Sequence, residues 1–425
     1  MPRWCLLRFA ALLAVLAAFA ALAACVPPTV PAPLSSPQPP YGPPPPIPAP
    51  APPRAAAPAG PAKIAILVPL SGPNAGLGTA ILNAAQMALF ETGGDQLTLV
   101  PRDTKGTASG AADAARSAVG DGVALILGPL LAGEVEAVKP IARDAHVNVI
   151  AFSTVTDLAG GNTYLMGFLP RQEVVREVAY ARQRGIVRFA ALAPNTPYGH
   201  LMADTLRDAA SSTGGTVTKV AFFDPRGGDP STAIAVLLPA GATPPPGPGD
   251  PDQAAPAPAP PPPAVPNFDA LLLPEGGDQL KQIARKVAAA GLDPKATRLL
   301  GSGLWDVADI GNEPALDGGW FAASPPDARR EFEQHYRATY GGEPPRLASL
   351  GYDAAALAAG LASGKSGPPF SREAIVNPNG FSGVDGLFRF TPDGLVQRGL
   401  AVIEVEPQGN VVVSAAPRTF QDLAY

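Results

Sequence analysis

Ile64-Ala-Ile-Leu-Val-Pro-Leu-Ser-Gly-Pro73 begins as an unbroken apolar run and closes in a turn built from Pro, Ser and Gly. Directly after it, residues 75–91 place Ile81, Leu82, Ala85, Met87 and Ala88 at helical spacing, so the segment reads strand, loop, helix. The unit recurs outward from there. Residues 97–100 and 123–127 and 147–151 read as strands, with helices predicted over 108–119 and 134–144 between them. Ala124-Leu125-Ile126-Leu127 has no polar position on either face, as a strand of a parallel sheet covered on both sides requires. A second series follows residues 164–168: helices over 173–184, 200–212, 232–238 and 277–289 alternate with strands over 188–193, 216–223, 268–273 and 298–300. Further on, helices are predicted over 326–340 and 346–361, and residues 384–390, 399–406 and 410–414 alternate like antiparallel strands. Pro392-Asp393-Gly394 and Pro407-Gln408-Gly409 supply the hairpin turns.

The chain has 425 residues, 54 of them proline, and the prolines are clustered. Seventeen lie between Pro27 and Pro61 and thirteen between Pro239 and Pro266. Setting aside residues 1–62 and 239–266 leaves about 335 residues, enough for two ordinary domains with their own cores. The stretch at 239–266 reads as a solvated loop inserted in the second series. A net charge of −5 without a run of Lys or Arg speaks against a nucleic-acid binder, which has to neutralise phosphates.

Arg3 and Arg8 precede an uncharged Ala/Leu stretch over 9–22, the pattern of a signal peptide over 1–24. Leu22-Ala23-Ala24-Cys25 resembles the lipobox of bacterial lipoproteins, which implies that Cys25 carries lipid; a plain signal with a chance cysteine is the alternative. In that group Val26, standing where Asp would retain the protein at the inner membrane, implies an outer-membrane anchor facing the periplasm. Residues 25–62 then form a Pro-rich tether, which at about 3.1 Å per residue reaches on the order of 100 Å. Cys5 and Cys25 are the only cysteines, so the remaining chain has no thiol for a disulfide, a nucleophile or a zinc site.

Catalytic patterns fail on inspection. Gly76-Leu77-Gly78-Thr79-Ala80-Ile81 starts like a dinucleotide fingerprint, but its sixth position is Ile where a small residue is needed. Ser363-Gly364-Lys365-Ser366 lacks the first glycine of a phosphate loop and follows a helix rather than opening one. His146, His200 and His335 are isolated, so neither a triad nor a metal site is expected, and no cofactor is expected. Doubly wound sheets bind ligands beyond the carboxyl ends of their strands, where this chain places Ser71, Gly128, Ser153, Thr154, Tyr198, Glu275, Trp305 and Asp306. These are the cleft candidates. Hydroxyls, exposed backbone amides and acids in that set suit a small zwitterion, its carboxylate on Ser and N–H groups and its amine on Glu or Asp. Trp305 and Trp320 are candidates for cleft or partner contact, with core packing the alternative for Trp320.

Residues 64–73, Ile126-Leu-Gly-Pro129, Val149-Ile-Ala-Phe-Ser-Thr154, Ala193-Pro-Asn-Thr-Pro-Tyr-Gly199 and Tyr352-Asp353 together resemble the type I periplasmic-binding-protein superfamily, its leucine-binding group above all. The resemblance spans 63 to about 415. It implies an α/β fold of two Rossmann-like lobes joined by three crossovers, closing on a ligand at a hinge. The lobes are expected at 63–152 plus 326–364 and 384–425, and at 153–325. The crossovers are expected near 152–168, near 302–325 and over 365–383.

Within that superfamily, residues 271–277, Gly301-Ser-Gly-Leu-Trp-Asp306, Gly319-Trp-Phe321 and Asn377-Pro-Asn-Gly-Phe-Ser-Gly383 resemble the lipoproteins called penicillin-binding-protein activators of alphaproteobacteria. This implies a non-enzymatic regulator docking on a bifunctional peptidoglycan synthase, with an amino-acid-like or muropeptide ligand possible in the cleft. The alternative is the substrate-binding component of an ABC-type uptake system for branched-chain amino acids, with a permease as partner. Amino-acid receptors usually present a Ser after the Gly-Pro turn and a Ser-Ala-Thr step after the next strand. Here Leu130-Leu131-Ala132 and Ser153-Thr154-Val155 stand there, so carboxylate contacts are missing.

Overall fold

Apolar runs punctuated by Gly and Pro become the strands of two separate sheets. The computed structural model describes residues 60–92, 96–238, 266–364 and 368–422; the leader, Cys25, nearly all of the tether and almost the whole 239–266 insert lie outside the described residues. Strands β1 (Ala62–Val68), β2 (Leu97–Asp103), β3 (Leu125–Leu127), β4 (Asn148–Ala151) and β5 (Thr163–Leu165) form a fully parallel sheet in the order β2-β1-β3-β4-β5. Helices α1 (Ala75–Glu91), α2 (Ala108–Gly120) and α3 (Ala132–Asp144) alternate with its first four strands. The pleat sends Ile64, Ile66 and Val68 into one core with Ile81 and Ala85, and Ala65 and Leu67 into another with Ala111, Ala115, Val135 and Val138. Gly78 sits where a Cβ would fall 1.9 Å from the Pro69 carbonyl oxygen. The glycines that suggested a nucleotide fingerprint therefore let α1 start close against β1.

The second lobe contains α4 (Pro170–Gln183), β6 (Arg188–Pro194), α5 (Pro197–Ser212), β7 (Thr216–Phe223), α6 (Ser231–Leu237), β8 (Ala270–Leu272), α7 (Gly277–Ala289), β9 (Arg298–Leu300) and β10 (Trp320–Ala323). The chain then returns to the first lobe with α8 (Pro326–Tyr340), α9 (Ala348–Ser363) and α10 (Arg372–Ile375). Phe332 and Tyr336 of α8 pack against Ala84 and Met87, and Leu350, Ala354 and Leu357 of α9 join the core under β1. A small antiparallel sheet, β11 (Phe381–Gly383), β12 (Gly386–Phe390) and β13 (Val396–Arg398), adds Phe388, Phe390 and Val396 to that same core. Finally β14 (Ala401–Glu404) and β15 (Val411–Ser414) run antiparallel on the edge of the second sheet, whose order is β15-β14-β10-β9-β8-β6-β7.

The expected class, two α/β lobes flanked by helices, is the one found, with one parallel and one mixed sheet. Three boundaries differ from expectation. β5 pairs with β4, Val149 opposite Thr163, so residues up to 165 belong to the first lobe rather than to 153–325. β14 pairs with β10, Trp320 opposite Glu404, so residues 401–414 belong to the second lobe rather than to the first. The third crossing accordingly falls at residues 399–400 instead of 365–383; the other two are at 166–169 and 324–325. Local patterning in a sequence marks a strand without saying which sheet it joins, and β14 lies buried between β10 and β15.

Candidate functional site

The three crossings, together with the strand ends of both lobes, border a cavity of about 470 Å³. The loop after β3 and the start of α3 bring Leu130, Leu131 and Ala132 to one wall, and the end of β4 brings Phe152, Ser153 and Thr154. The other wall is Tyr198 at the start of α5, Glu173 in the first turn of α4, and Gly303, Leu304 and Asp306 from the loop after β9. All three crossings contribute a lining residue: Phe168, Ser324 and Leu400. Arg346, on the connection between α8 and α9, completes it. Most of this surface is hydrocarbon, which is what a pocket for a small organic molecule needs.

The charged groups on the walls are tied into an interlobe network. Asp306 reaches across from the second lobe to Arg329 of α8 and lies 3.5 Å from Arg346 Nε. Arg329 also donates to Glu333 at 2.9 Å. Arg346 donates to Ser349 at 3.1 Å and to Ser324 on the second crossing at 3.4 Å, and its Nη1 is 2.9 Å from the buried Asp385 carboxylate. Its guanidinium stacks 3.9 Å above the Phe168 ring, on the first crossing. Arg398 lies 4.7 Å from the same ring and donates to the Met166 carbonyl at 2.7 Å. Glu173 Oε2 accepts the Gly303 amide at 2.8 Å, a fit that depends on glycine, since a Cβ there would come within 2.6 Å of Glu173 Oε1. Burial pushes the Glu173 carboxyl up to about 7, with Asp306 adding to the rise and the Gly303 amide and Arg346 opposing it. Burial likewise raises the Tyr198 phenol, whose hydroxyl donates to Ser302 Oγ at 3.1 Å.

Of the residues proposed from sequence, Ser153, Thr154, Tyr198 and Asp306 meet at this cavity. The other four do not. Ser71 is exposed and bonds the Asp103 carboxylate at 2.7 Å. Gly128 is a turn residue at φ +82°, its amide 2.7 Å from the Ile150 carbonyl oxygen. Glu275 accepts the Gly276 amide beside it at 3.0 Å, outside the cavity wall. Trp305 is wholly buried in the core of the second lobe, donating to the Leu273 carbonyl at 3.3 Å and facing Phe321. The short helical turn over Gly303–Trp305 explains this: it turns the indole inward while Leu304 and Asp306 line the cavity. Trp320 is also a core residue, its indole N–H on Glu404 at 2.7 Å.

Sequence reasoning missed Glu173, Arg346, Phe168 and Leu400. Glu173 had a signal: with Glu177 it puts acids at i and i+4 on the same side of a helix as the buried Val174 and Val178. Arg346 and the crossing residues had none, because only the return of the chain brings them to the cleft. Among the described residues no group of three or more His, Cys, Asp or Glu could hold a metal ion.

Two α/β lobes joined by three crossings, with a largely apolar cavity walled by both, define a bilobed small-molecule-binding domain. The chain belongs to the periplasmic binding protein family, whose profile matches residues 61–410. Membership makes it an extracytoplasmic protein. It is 29% identical over 168 residues to the Leu/Ile/Val-binding protein BraC3 of Rhizobium johnstonii, a match covering 37% of this chain and 45% of that relative's length. Among solved structures it is similar to a putative branched-chain amino acid ABC transporter protein from Rhodospirillum rubrum, with 21% identity, a TM-score of 0.68 and coverage of 83% of this chain and all of the other. It is also similar to an ABC transporter substrate-binding protein from Sphaerobacter thermophilus, with 21% identity, a TM-score of 0.63 and coverage of 84% and 98%. At such identities the structures speak for the fold alone.

Proposed function

We propose that this chain is a non-enzymatic lipoprotein, anchored through Cys25 at the outer membrane and facing the periplasm, whose bilobed domain regulates a peptidoglycan synthase. The observation that supports this reading is inside the cleft. At the two places where the resemblance to amino-acid receptors puts the ligand carboxylate, a backbone amide is used by the chain itself: Leu131 N–H donates to Glu134 Oε2 at 3.1 Å, and Val155 N–H donates to Ser153 Oγ at 3.2 Å. An α-amino acid would lose one or more charge-assisted hydrogen bonds there, roughly a tenfold to hundredfold fall in affinity for each. The activator-like motifs and the long Pro-rich tether agree with a protein that docks on a partner.

Uptake of an amino acid is the second reading, favoured by the apolar cavity and by the names of the relatives. Two measurements on the full-length protein separate them. Thermal unfolding with millimolar leucine, isoleucine and valine should leave the midpoint unchanged, whereas ligand at about a hundred times Kd would add roughly 2.7 kcal/mol. Addition of the protein to a purified bifunctional peptidoglycan synthase should raise its rate of glycan polymerisation. A midpoint shift with a branched-chain amino acid and no effect on the synthase would put the uptake reading in its place.

A further inference from the structure

Among the described residues that line the cavity, the charged ones are Glu173, Asp306 and Arg346. Two of these neutralise protein groups. Asp306 has Arg329 and Arg346; Arg346 has Asp306, Asp385, Ser349 and Ser324, and its face is covered by Phe168. Glu173 differs. Its carboxylate accepts the Gly303 amide, and among the described residues no cation lies within ion-pair distance of it. A carboxyl in an apolar wall without a counter-ion is an unfinished pair. Tyr198, on the same wall, donates its hydroxyl hydrogen to Ser302 and keeps oxygen lone pairs for another donor. Across the cavity the Leu131 and Val155 amides already donate to Glu134 and Ser153. Among the described residues the walls therefore hold one acid without a counter-ion, and for an anion they offer no unneutralised cation, only neutral donors such as the Ser153 and Thr154 hydroxyls and the Asn74 amide.

We propose that the cavity binds a small organic amine without a carboxylate, its ammonium on Glu173 and Tyr198 and its apolar body against Leu130, Phe152, Phe168 and Leu400. The cavity of about 470 Å³ leaves room for an aromatic or branched aliphatic body. A charge-assisted N–H···O bond to Glu173 supplies the orientation, and the burial that raises the carboxyl is relieved when an ammonium arrives. A zwitterion of the same skeleton brings a carboxylate next to the Glu173 carboxylate, and the one cation on the described walls, Arg346, is already neutralised by Asp306 and Asp385. This proposal concerns the cavity and stands apart from the choice of partner protein.

The test is calorimetric titration of the full-length protein at about pH 8, where both the amine and Glu173 are charged, with phenethylamine, hydrocinnamate, phenylalanine and phenethyl alcohol. Isoamylamine and isocaproate repeat the contrast with a smaller body. The amines are expected to bind at least tenfold more tightly than the carboxylate or zwitterion of the same skeleton. Glu173→Gln, nearly isosteric, should weaken amine binding tenfold or more while leaving the alcohol unchanged. Equal or tighter binding of the carboxylates, no binding of either amine, or an unchanged amine affinity in E173Q would overturn the proposal. Should E173Q fail to fold, the ligand contrast in the unaltered protein still decides it.

Discussion

Glu173 is a single side chain whose protonation is set by the fold around it. Its surroundings include Glu177 on the next turn, Tyr198, Asp306 and Arg346. Because its folded pKa is raised to about 7, the native state binds a proton that the unfolded chain releases near 4 to 5. That contribution to stability is full below the unfolded value and is lost as pH rises through about 7. E173Q should therefore melt close to the unaltered protein at pH 5 and above it at pH 8; an identical difference at both pH values would show that Glu173 does not titrate in this range. Trp305 gives the opposite lesson. Its sequence neighbours line the cavity, and from the sequence alone Trp305→Ala reads as a change in ligand affinity with the fold intact. Buried under Phe321 with its N–H on Leu273, it is a core residue, and its removal should cost about 3–5 kcal/mol in urea unfolding. A midpoint within experimental error of the unaltered protein would show that the indole is not packed there.

At the scale of elements, helix starts aim the site. Thr196 caps α5, its Oγ1 accepting the Gly199 amide at 3.1 Å, and Tyr198 leaves the first turn of that helix into the cavity. Thr107 caps α2 in the same way on the Gly110 amide. Thr196→Ala should lower stability by about 1 kcal/mol, read as a shifted denaturation midpoint, while Thr196→Ser should restore it. These elements were legible in part: the sequence reads a helix from 200 with Pro197-Tyr198-Gly199 as the loop before it, three residues short of the start at Pro197, while the apolar runs of β1, β3, β4 and β6 announced parallel strands. The short C-terminal strands were legible as strands too. Their destination was not, because β14 and β15 satisfy the ladder of a sheet whose other members lie some 80 or more residues earlier in the chain.

For the whole molecule, the contact of consequence is the one between lobes. Asp306 in the second lobe is held by Arg329 and Arg346 in the first, and Arg346 joins that pair to Asp385, Ser324 and Phe168 beside the crossings. Asp306→Asn removes the charge that Arg329 and Arg346 share, and the lobes should separate more readily. Small-angle X-ray scattering should then give a larger radius of gyration than for the unaltered protein at the same ionic strength; equal values would mean that packing at the crossings alone holds the lobes. The amino-acid sequence by itself determined that this protein is two α/β units with a proline-rich lead and insert, since apolar periodicity and turn residues are local and each is read within a few positions. Ser153, Thr154, Tyr198 and Asp306 were within its reach because they follow strand ends, where such sheets open. Only the tertiary structure decided that Glu173, Phe168, Arg346 and Leu400 share their cavity and that Trp305 does not. Those placements depend on where three crossings bring distant segments together and on which way a single helical turn faces, and neither is written in local periodicity.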